Sequence, residues 1–311
     1  MVLSPLSHLR LLTICILTWF AAYFALNAQE IPPPQFYPQQ ASTRASAVFD
    51  QAPNAAVFIY DDQATPCVRQ PARNLPPLGT GFIVHLEDRA LISSTRQRNG
   101  LNFLVTAKHV IAERPRVIIS LHSDTAPPFI CHALDLQNSF FAAPGIDLAA
   151  VGLPEIPDAD PTLISSSLLI DARAMKEWNI ADGTDAFTAG YLASYDRRKI
   201  NAPVTRYARV SLITEKWWYH NPESKRIEQA YELELSSALA LSGAPVFAYG
   251  TVTTTNPFRY ERLQPFVLGV VKDFYAQPVR DELISARRVA VLEPGANLKL
   301  LMETIARTLN P

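Results

Sequence analysis

Apolar residues fall along this chain in short runs, not at helical spacing. Val57–Tyr60, Thr80–Leu86 and Asn102–Thr106 are the first three, the last two separated by a polar loop at Asp88–Gly100. Arg116–Leu121, Leu148–Leu153, Asp185–Tyr191 and Ala208–Thr214 continue the series. Ile227–Leu235, Pro245–Tyr249, Pro265–Phe274 and Arg288–Leu292 complete it. Runs of this length, bounded by turn-forming residues, predict β-strands. Only one segment has a convincing helical period. Leu298, Leu301, Ile305 and Leu309 lie on one face after Pro294 and Gly295, and predict a C-terminal helix. No repeat of fixed period is present. Helical crossovers between the strands are missing, which excludes a parallel α/β sheet. The pattern predicts an all-β protein of two barrels or sandwiches closed by a terminal helix.

The N-terminal pattern is different. Leu11 to Leu26 is apolar and uncharged, with His8 and Arg10 before it and Asn27-Ala28 after it. At about 16 residues the run is short for a membrane span. It reads as a signal peptide over 1–28, cut after Ala28, which sends the protein to the periplasm or outside the cell. Leu26 stands where such sites favour a small residue, so an uncleaved membrane tether is the alternative. Cys15 follows Ile14, which does not fit a lipoprotein site. Residues 29–47 are rich in Pro and Gln and predict a spacer ahead of a folded domain over 48–311.

Composition narrows the function. Hydrophobic residues make up 48% and charged residues 18%, which excludes a disordered chain. The 28 basic and 29 acidic residues leave a net charge of −1, without the basic excess that nucleic-acid binding requires. Twenty-five prolines against 11 glycines favour short strands over long helices. Three cysteines are too few for a disulfide-built scaffold. Two of them, Cys67 and Cys131, follow the leader. They are either a disulfide pair or two buried thiols.

Several motifs carry no chemistry. Walker, His-Glu-x-x-His and Cys-x-x-Cys patterns are missing. Gly79-Thr80-Gly81 precedes a strand and not a helix, which does not suit a dinucleotide. His122 and His132, near Asp124 and Asp135, lack metal-ligand spacing. Trp217-Trp218-Tyr219-His220 reads as loop packing, with a substrate-contact surface as the sharper alternative.

Three segments stand out together. Phe103–Thr106 is an apolar strand followed by Ala107-Lys108-His109, with the histidine at the start of a helical turn. Asp147 immediately precedes the apolar run at Leu148. Ser242-Gly243 forms a tight turn before the strand led by Pro245. The order is His, Asp, Ser, 38 and then 95 positions apart. A hydroxyl is a poor nucleophile at neutral pH and needs a base within hydrogen-bond reach. That base needs an acid to fix its tautomer and to stabilise its cation. Strand ends can hold such groups rigidly.

From Gly79 onward the chain resembles the trypsin-like serine peptidases of the chymotrypsin fold, in their bacterial branch. Gly79–Val84 resembles the family's Gly-[Ser/Thr]-Gly-Phe strand, Thr106-Ala107-Lys108-His109 its Thr-Ala-x-His, and Asp147-Leu148-Ala149 its Asp-[Ile/Leu]-Ala. Ala186–Tyr191 is similar to the strand ending in Gly-Tyr. Ser242–Val246 resembles Gly-x-Ser-Gly-Gly-Pro-Val, and Phe266–Val271 the strand that lines the specificity pocket. The resemblance implies two six-stranded antiparallel β-barrels, over 48–160 and 161–294, and a C-terminal helix over 295–309. It implies Ser242 as nucleophile, His109 as base and Asp147 as orienter, with Asp135 the alternative acid. The backbone N–H groups of Ala240 and Ser242 would form the oxyanion hole. Ser236, Val270 and Val271 would line the substrate pocket.

The family has Gly where this chain has Ala240 and Ala244. Ser236 in place of an acid disfavours Arg or Lys substrates, although Glu232 and Glu234 are close. The reading that results is an exported, monomeric serine endopeptidase. It acts on peptides or proteins without a cofactor or metal, and has no nucleic-acid partner. A catalytically silent peptidase-like domain that binds peptides or a protein partner is the alternative. A lectin-like or structural β-domain is a third.

Overall fold

The computed structural model describes residues 54–62, 76–86, 101–122, 129–137, 140–142, 144–157, 159, 161–190, 203–213, 218–220, 227–235, 241–254, 260–276 and 288–309. All belong to one compact unit, Ala41–Pro311. The expected signal peptide and spacer, and Cys67, Ser236 and Ala240, lie outside the described residues.

The first sheet begins with β1 (Ala56–Asp61), β2 (Gly79–Leu86) and β3 (Leu101–Thr106). A one-turn helix, α1 (Lys108–Ile111), follows β3 directly. Then come β4 (Arg116–His122), β5 (Phe129–Asp135), β6 (Phe140–Ala142), β7 (Ala149–Gly152) and β8 (Leu163–Ser165). The strand order is β5-β4-β1-β2-β3-β7-β6, with β8 parallel to β2. β1 is apolar from Ala56 to Tyr60 because both its faces are covered there: Val57 and Ile59 join one buried cluster, Phe58 and Tyr60 another.

A short helix, α2 (Ala172–Glu177), leads to the second sheet. That sheet contains β9 (Asp185–Gly190) and β10 (Val204–Leu212). After the small hairpin β11 (Trp218–His220) and β12 (Ile227–Gln229) it continues with β13 (Tyr231–Leu235), β14 (Pro245–Thr254), β15 (Tyr260–Ala276) and β16 (Arg288–Pro294). It closes as a six-stranded barrel in the order β10-β13-β16-β15-β14-β9. β10 shows the period of a half-covered strand: Ala208 and Val210 are buried, while Tyr207 and Arg209 face outward.

The fold is therefore all-β, with one closed six-stranded barrel, one curved open sheet and a terminal helix. The first sheet departs from the expected six-stranded barrel. Among the described residues its path runs from β5 to β6, and the three-residue β6 pairs with β7 (Phe140↔Val151, Ala142↔Ala149).

The terminal helix α3 (Gly295–Leu309) starts and ends where its sequence period predicts. It buries Leu298, Leu301, Met302 and Ile305, the spacing of a single helix face. Leu309, expected on that face, is exposed, and Met302 fills the stripe instead. Together with Phe82, Val105 and Leu148 of the first sheet region and Phe187, Phe247 and Val267 of the barrel, the helix forms one core at the seam. Each such buried side chain contributes on the order of 2 kcal/mol. Among the described residues no helix is long and apolar enough to cross a membrane.

Asp171 anchors α2 to α3. Its carboxylate accepts from the Ala174 N–H at 2.8 Å, capping α2, and from Lys299 Nζ at 2.6 Å. The Lys299 ammonium, and next the Ala174 N–H, hold this carboxyl below the ordinary aspartate value of 3.8. A depressed folded value means that the stabilisation is complete above the unfolded value and is lost as pH falls through the folded one. Asp171→Ala is expected to cost about 1 kcal/mol at neutral pH, mostly the lost cap, since the exposed ion pair adds little. The gap in melting temperature between the variant and the wild type should close as the pH drops well below 4; a gap unchanged at pH 2 would refute the assignment.

Candidate active site

The site is built at the ends of β3, β7 and the turn before β14. β3 is pinned at Thr106, which is fully buried and donates its hydroxyl to the Thr80 carbonyl at 2.8 Å. That bond ties the end of β3 to β2. The chain then turns through Ala107 into α1, and His109 is carried out of the sheet while Val110 and Ile111 stay in the core.

Asp147 meets His109 twice. Its Oδ2 lies 2.8 Å from His109 Nδ1, and its Oδ1 accepts the His109 backbone N–H at 3.0 Å. The Asp147 carbonyl also accepts from the Lys108 N–H at 3.3 Å. Holding both side chain and backbone fixes the imidazole plane relative to the helix turn. A carboxylate on Nδ1 selects the tautomer with its proton there and leaves Nε2 as the basic nitrogen. The side chain of His109 is 37% exposed and that of Asp147 20%, so the base is accessible and the acid is largely covered. Asp147 is aimed by the turn at Gly145, where φ is +75°, and by Leu148, whose side chain is fully buried.

Ser242 lies in the turn between β13 and β14 and is partly exposed. Its carbonyl accepts from the Thr80 N–H at 2.8 Å, which docks the turn onto β2 beside the Thr106 lock. On the other side, Gly243 N–H donates to the Val271 carbonyl at 2.7 Å, and Val271 N–H donates to the Ala244 carbonyl at 3.0 Å. Thr188, also fully buried, donates its hydroxyl to the Pro245 carbonyl at 2.8 Å. The serine turn is thus clasped by both sheets. A side chain at Gly79 would approach the Ser242 carbonyl to 2.7 Å, and one at Gly190 the Leu241 side chain to 2.5 Å, so the turn is seated on backbone with little spare room.

Positive φ in the turn falls on Gly243 (+86°) and not on Ala244. Alanine at 244 is therefore unstrained, and its side chain packs fully buried in the barrel core.

Other expected residues fall elsewhere. Asp135, the alternative acid, is exposed at the end of β5, and its Oδ1 accepts the Gln137 N–H at 2.9 Å as an ordinary turn residue. Val270 and Val271, expected to line the substrate pocket, are placed in the two cores. Both are fully buried, Val270 in the seam core and Val271 in the barrel core, because successive residues of β15 point to opposite covered faces. Only the Val271 backbone reaches the serine turn.

The sequence reading missed Thr80, Thr106 and Thr188 as locks. Buried threonines flanking the motif glycines were the available signal. It also missed a buried ion pair, Lys272 with Glu293, whose signal was a lone cation inside the apolar run of β15.

No protein-family model matches the chain, and no curated protein matches it. Two solved structures are similar. The MamO protease domain from Magnetospirillum magneticum, in its apo form, is 13% identical over 78% of this chain and 94% of that one, with a TM-score of 0.44. The Rv3671c protease in an inactive form is 17% identical over 82% of this chain and 91% of that one, with a TM-score of 0.43.

Proposed function

We propose that the chain is a trypsin-like serine endopeptidase of the chymotrypsin kind. Ser242 is the nucleophile, His109 the general base and Asp147 its orienter. The observation that carries this reading is the double contact between Asp147 and His109, one to the ring and one to the backbone. A histidine that only filled space would not need both.

Ser242 Oγ attacks the scissile carbonyl carbon as its proton passes to His109 Nε2. Asp147 stabilises the imidazolium that forms. The tetrahedral oxygen takes hydrogen bonds from the N–H groups of Ala240 and Ser242. His109 then gives its proton to the departing amine, leaving an acyl-enzyme on Ser242. Water, deprotonated by the same histidine, releases the acid and regenerates the serine.

A fluorophosphonate probe tests the reading, because covalent labelling requires an activated serine and a usable oxyanion hole. Labelling at Ser242, found by mass spectrometry, is the expected result. A folded protein that takes no label would instead be a silent domain that binds peptides through the same cleft.

The substrate is a peptide or protein, and the enzyme acts as a monomer outside the cytoplasm. Export rests on the apolar leader alone, with a tether as its alternative. In that compartment Cys67 and Cys131 are proposed to form a disulfide. Cys131 lies on β5, which among the described residues pairs with β4 alone, so a crosslink there would tie down a strand held on one side. Closing a loop of about 65 residues would stabilise the fold by up to about 4 kcal/mol. A non-reduced digest of the exported chain should give a Cys67–Cys131 crosslinked peptide and an N-terminus at Gln29. Two unlinked cysteine peptides would remove the disulfide, and an intact leader would favour the tether.

A further inference from the structure

A backbone outlier lies just beyond α1. Ala112, which ends that helix, has φ −56° and ψ 146°, Glu113 follows at φ +65°, and the Arg114 N–H donates to the Ile111 carbonyl at 3.4 Å. These are the marks of a type II turn, whose third residue needs positive φ and is ordinarily Gly or Asn. Here it is a glutamate. The other non-glycine with positive φ among the described residues is Asn179, a type that tolerates it. A left-handed conformation costs an ordinary side chain stability, and such costs cluster at functional sites.

The glutamate is placed on the exposed side of the segment that carries His109. Along it Val110 and Ile111 go into the core, while His109 and, four residues on, Glu113 are exposed. Arg114, the next cation in the chain, is drawn elsewhere. Its Nη1 donates to the Ala112 carbonyl at 3.5 Å, and its Nε lies 3.7 Å from Asp61 Oδ2 at the end of β1. Among the described residues none pairs with the Glu113 carboxylate. An exposed carboxylate, kept in a conformation that costs stability and near the proposed base, is left to meet a group from outside.

We propose that Glu113 is a specificity residue that favours Lys or Arg in the part of the substrate that leaves as the amine. The inference rests on the peptidase reading to say which half of the peptide is meant. His109 gives its proton to the departing amine, so the residues attached to that amine pass over the side of the site from which His109 projects. α1 forms that side, and Glu113 follows its end. A basic side chain just beyond the cleaved bond would bring its charge against the carboxylate. Water keeps access to both partners, so the pair yields a preference and not an absolute requirement, and salt weakens it.

The test scans Lys, Gln and Glu through each position of one fluorescent peptide, on the full chain. Binding is read by anisotropy with Ser242→Ala, which needs no hydrolysis, and kcat/KM with the unaltered serine. Lys should be favoured over Gln about three- to fivefold at a position on the leaving side of the cleaved bond, and less at high salt. Glu113→Gln should bring that ratio to about one, and Glu113→Lys should turn the preference to Glu. Glu113→Gly separates recognition from folding. It should lose the preference while its melting temperature rises by about 2–4 °C, because glycine suits positive φ. A Lys preference that survives Glu113→Gln, one confined to the acyl side, or none at all would overturn the proposal. If Ser242→Ala binds Lys peptides selectively and the unaltered chain cleaves none, the peptidase reading fails and Glu113 stands as the selector of a peptide-binding domain. Cleavage without any Lys preference gives the reverse result.

Discussion

Ser242→Ala is expected to lower kcat on casein or a peptide ester by about 10⁶-fold, with the fold intact. The hydroxyl is the only group of the residue lost. What seats the turn is backbone: the Ser242 carbonyl on the Thr80 N–H, and Gly243 and Ala244 on Val271. Those bonds survive the change, so stability should stay within about 0.5 kcal/mol of the wild type. His109→Ala should cost a similar factor, because a nucleophile and its base act as one unit. The double variant should then be little worse than either single one. A Ser242→Ala protein that still cleaves casein at the wild-type rate would exclude this serine as nucleophile. Losses that multiply in the double variant would mean that Ser242 and His109 do not work together.

The site's side chains were legible because each stands at the end of an apolar run, where the local pattern marks a strand terminus. His109 after Phe103–Thr106 and Asp147 before Leu148 are of this kind. The terminal helix was legible for a similar reason: its period lies within 15 consecutive residues. What the pattern hid depends on pairing between distant segments. β5 carries Cys131, His132 and Asp135 among its apolar residues, and as the end strand among the described residues it needs no continuous apolar run. The outer arm of the β14–β15 hairpin pairs Thr251–Thr254 with Tyr260–Leu263, residues too polar to be recognised as strand. Ile227–Leu235 looked continuous but breaks at Ala230, where β12 leaves for its own hairpin and β13 enters the barrel. Lys272 and Glu293 meet only because a one-residue bulge intervenes, which no local period records. The clasp on the Ser242 turn comes from the backbone of Val271, and a valine's backbone leaves no trace in its side-chain pattern.

Gly243→Ala is expected to be the most damaging single methyl in the site, costing about 4 kcal/mol or more. Two terms add. The first is conformational: φ is +86°, a region that costs an L side chain roughly 1–2 kcal/mol. The second is contact. A methyl at this position would overlap the Thr80 carbonyl and the Thr106 hydroxyl and come within 3.0 Å of the Ala107 nitrogen. None of these can easily give way. Thr80 is paired across the sheet with Phe58, Thr106 with Gly81 and Ala149, and the Thr106 hydroxyl is bonded to that same Thr80 carbonyl. Forcing them apart breaks a buried hydrogen bond, at about 1–3 kcal/mol, besides the cost of overpacking. Gly183 separates the terms. Its φ is also +86°, but a methyl there meets nothing within 4 Å, so Gly183→Ala should show the conformational cost alone. The two variants, measured side by side by urea denaturation, should differ by about 2–3 kcal/mol, with Gly243→Ala the weaker protein. Its melting temperature should fall by roughly 8–16 °C for a domain of this size. The loss should be accompanied by loss of activity, because the methyl would push the Ser242 turn off β2 and away from the end of β3 that carries His109. Equal losses at the two glycines would mean that the turn can lift without cost, and the close seating of Ser242 on β2 would then not be what positions it.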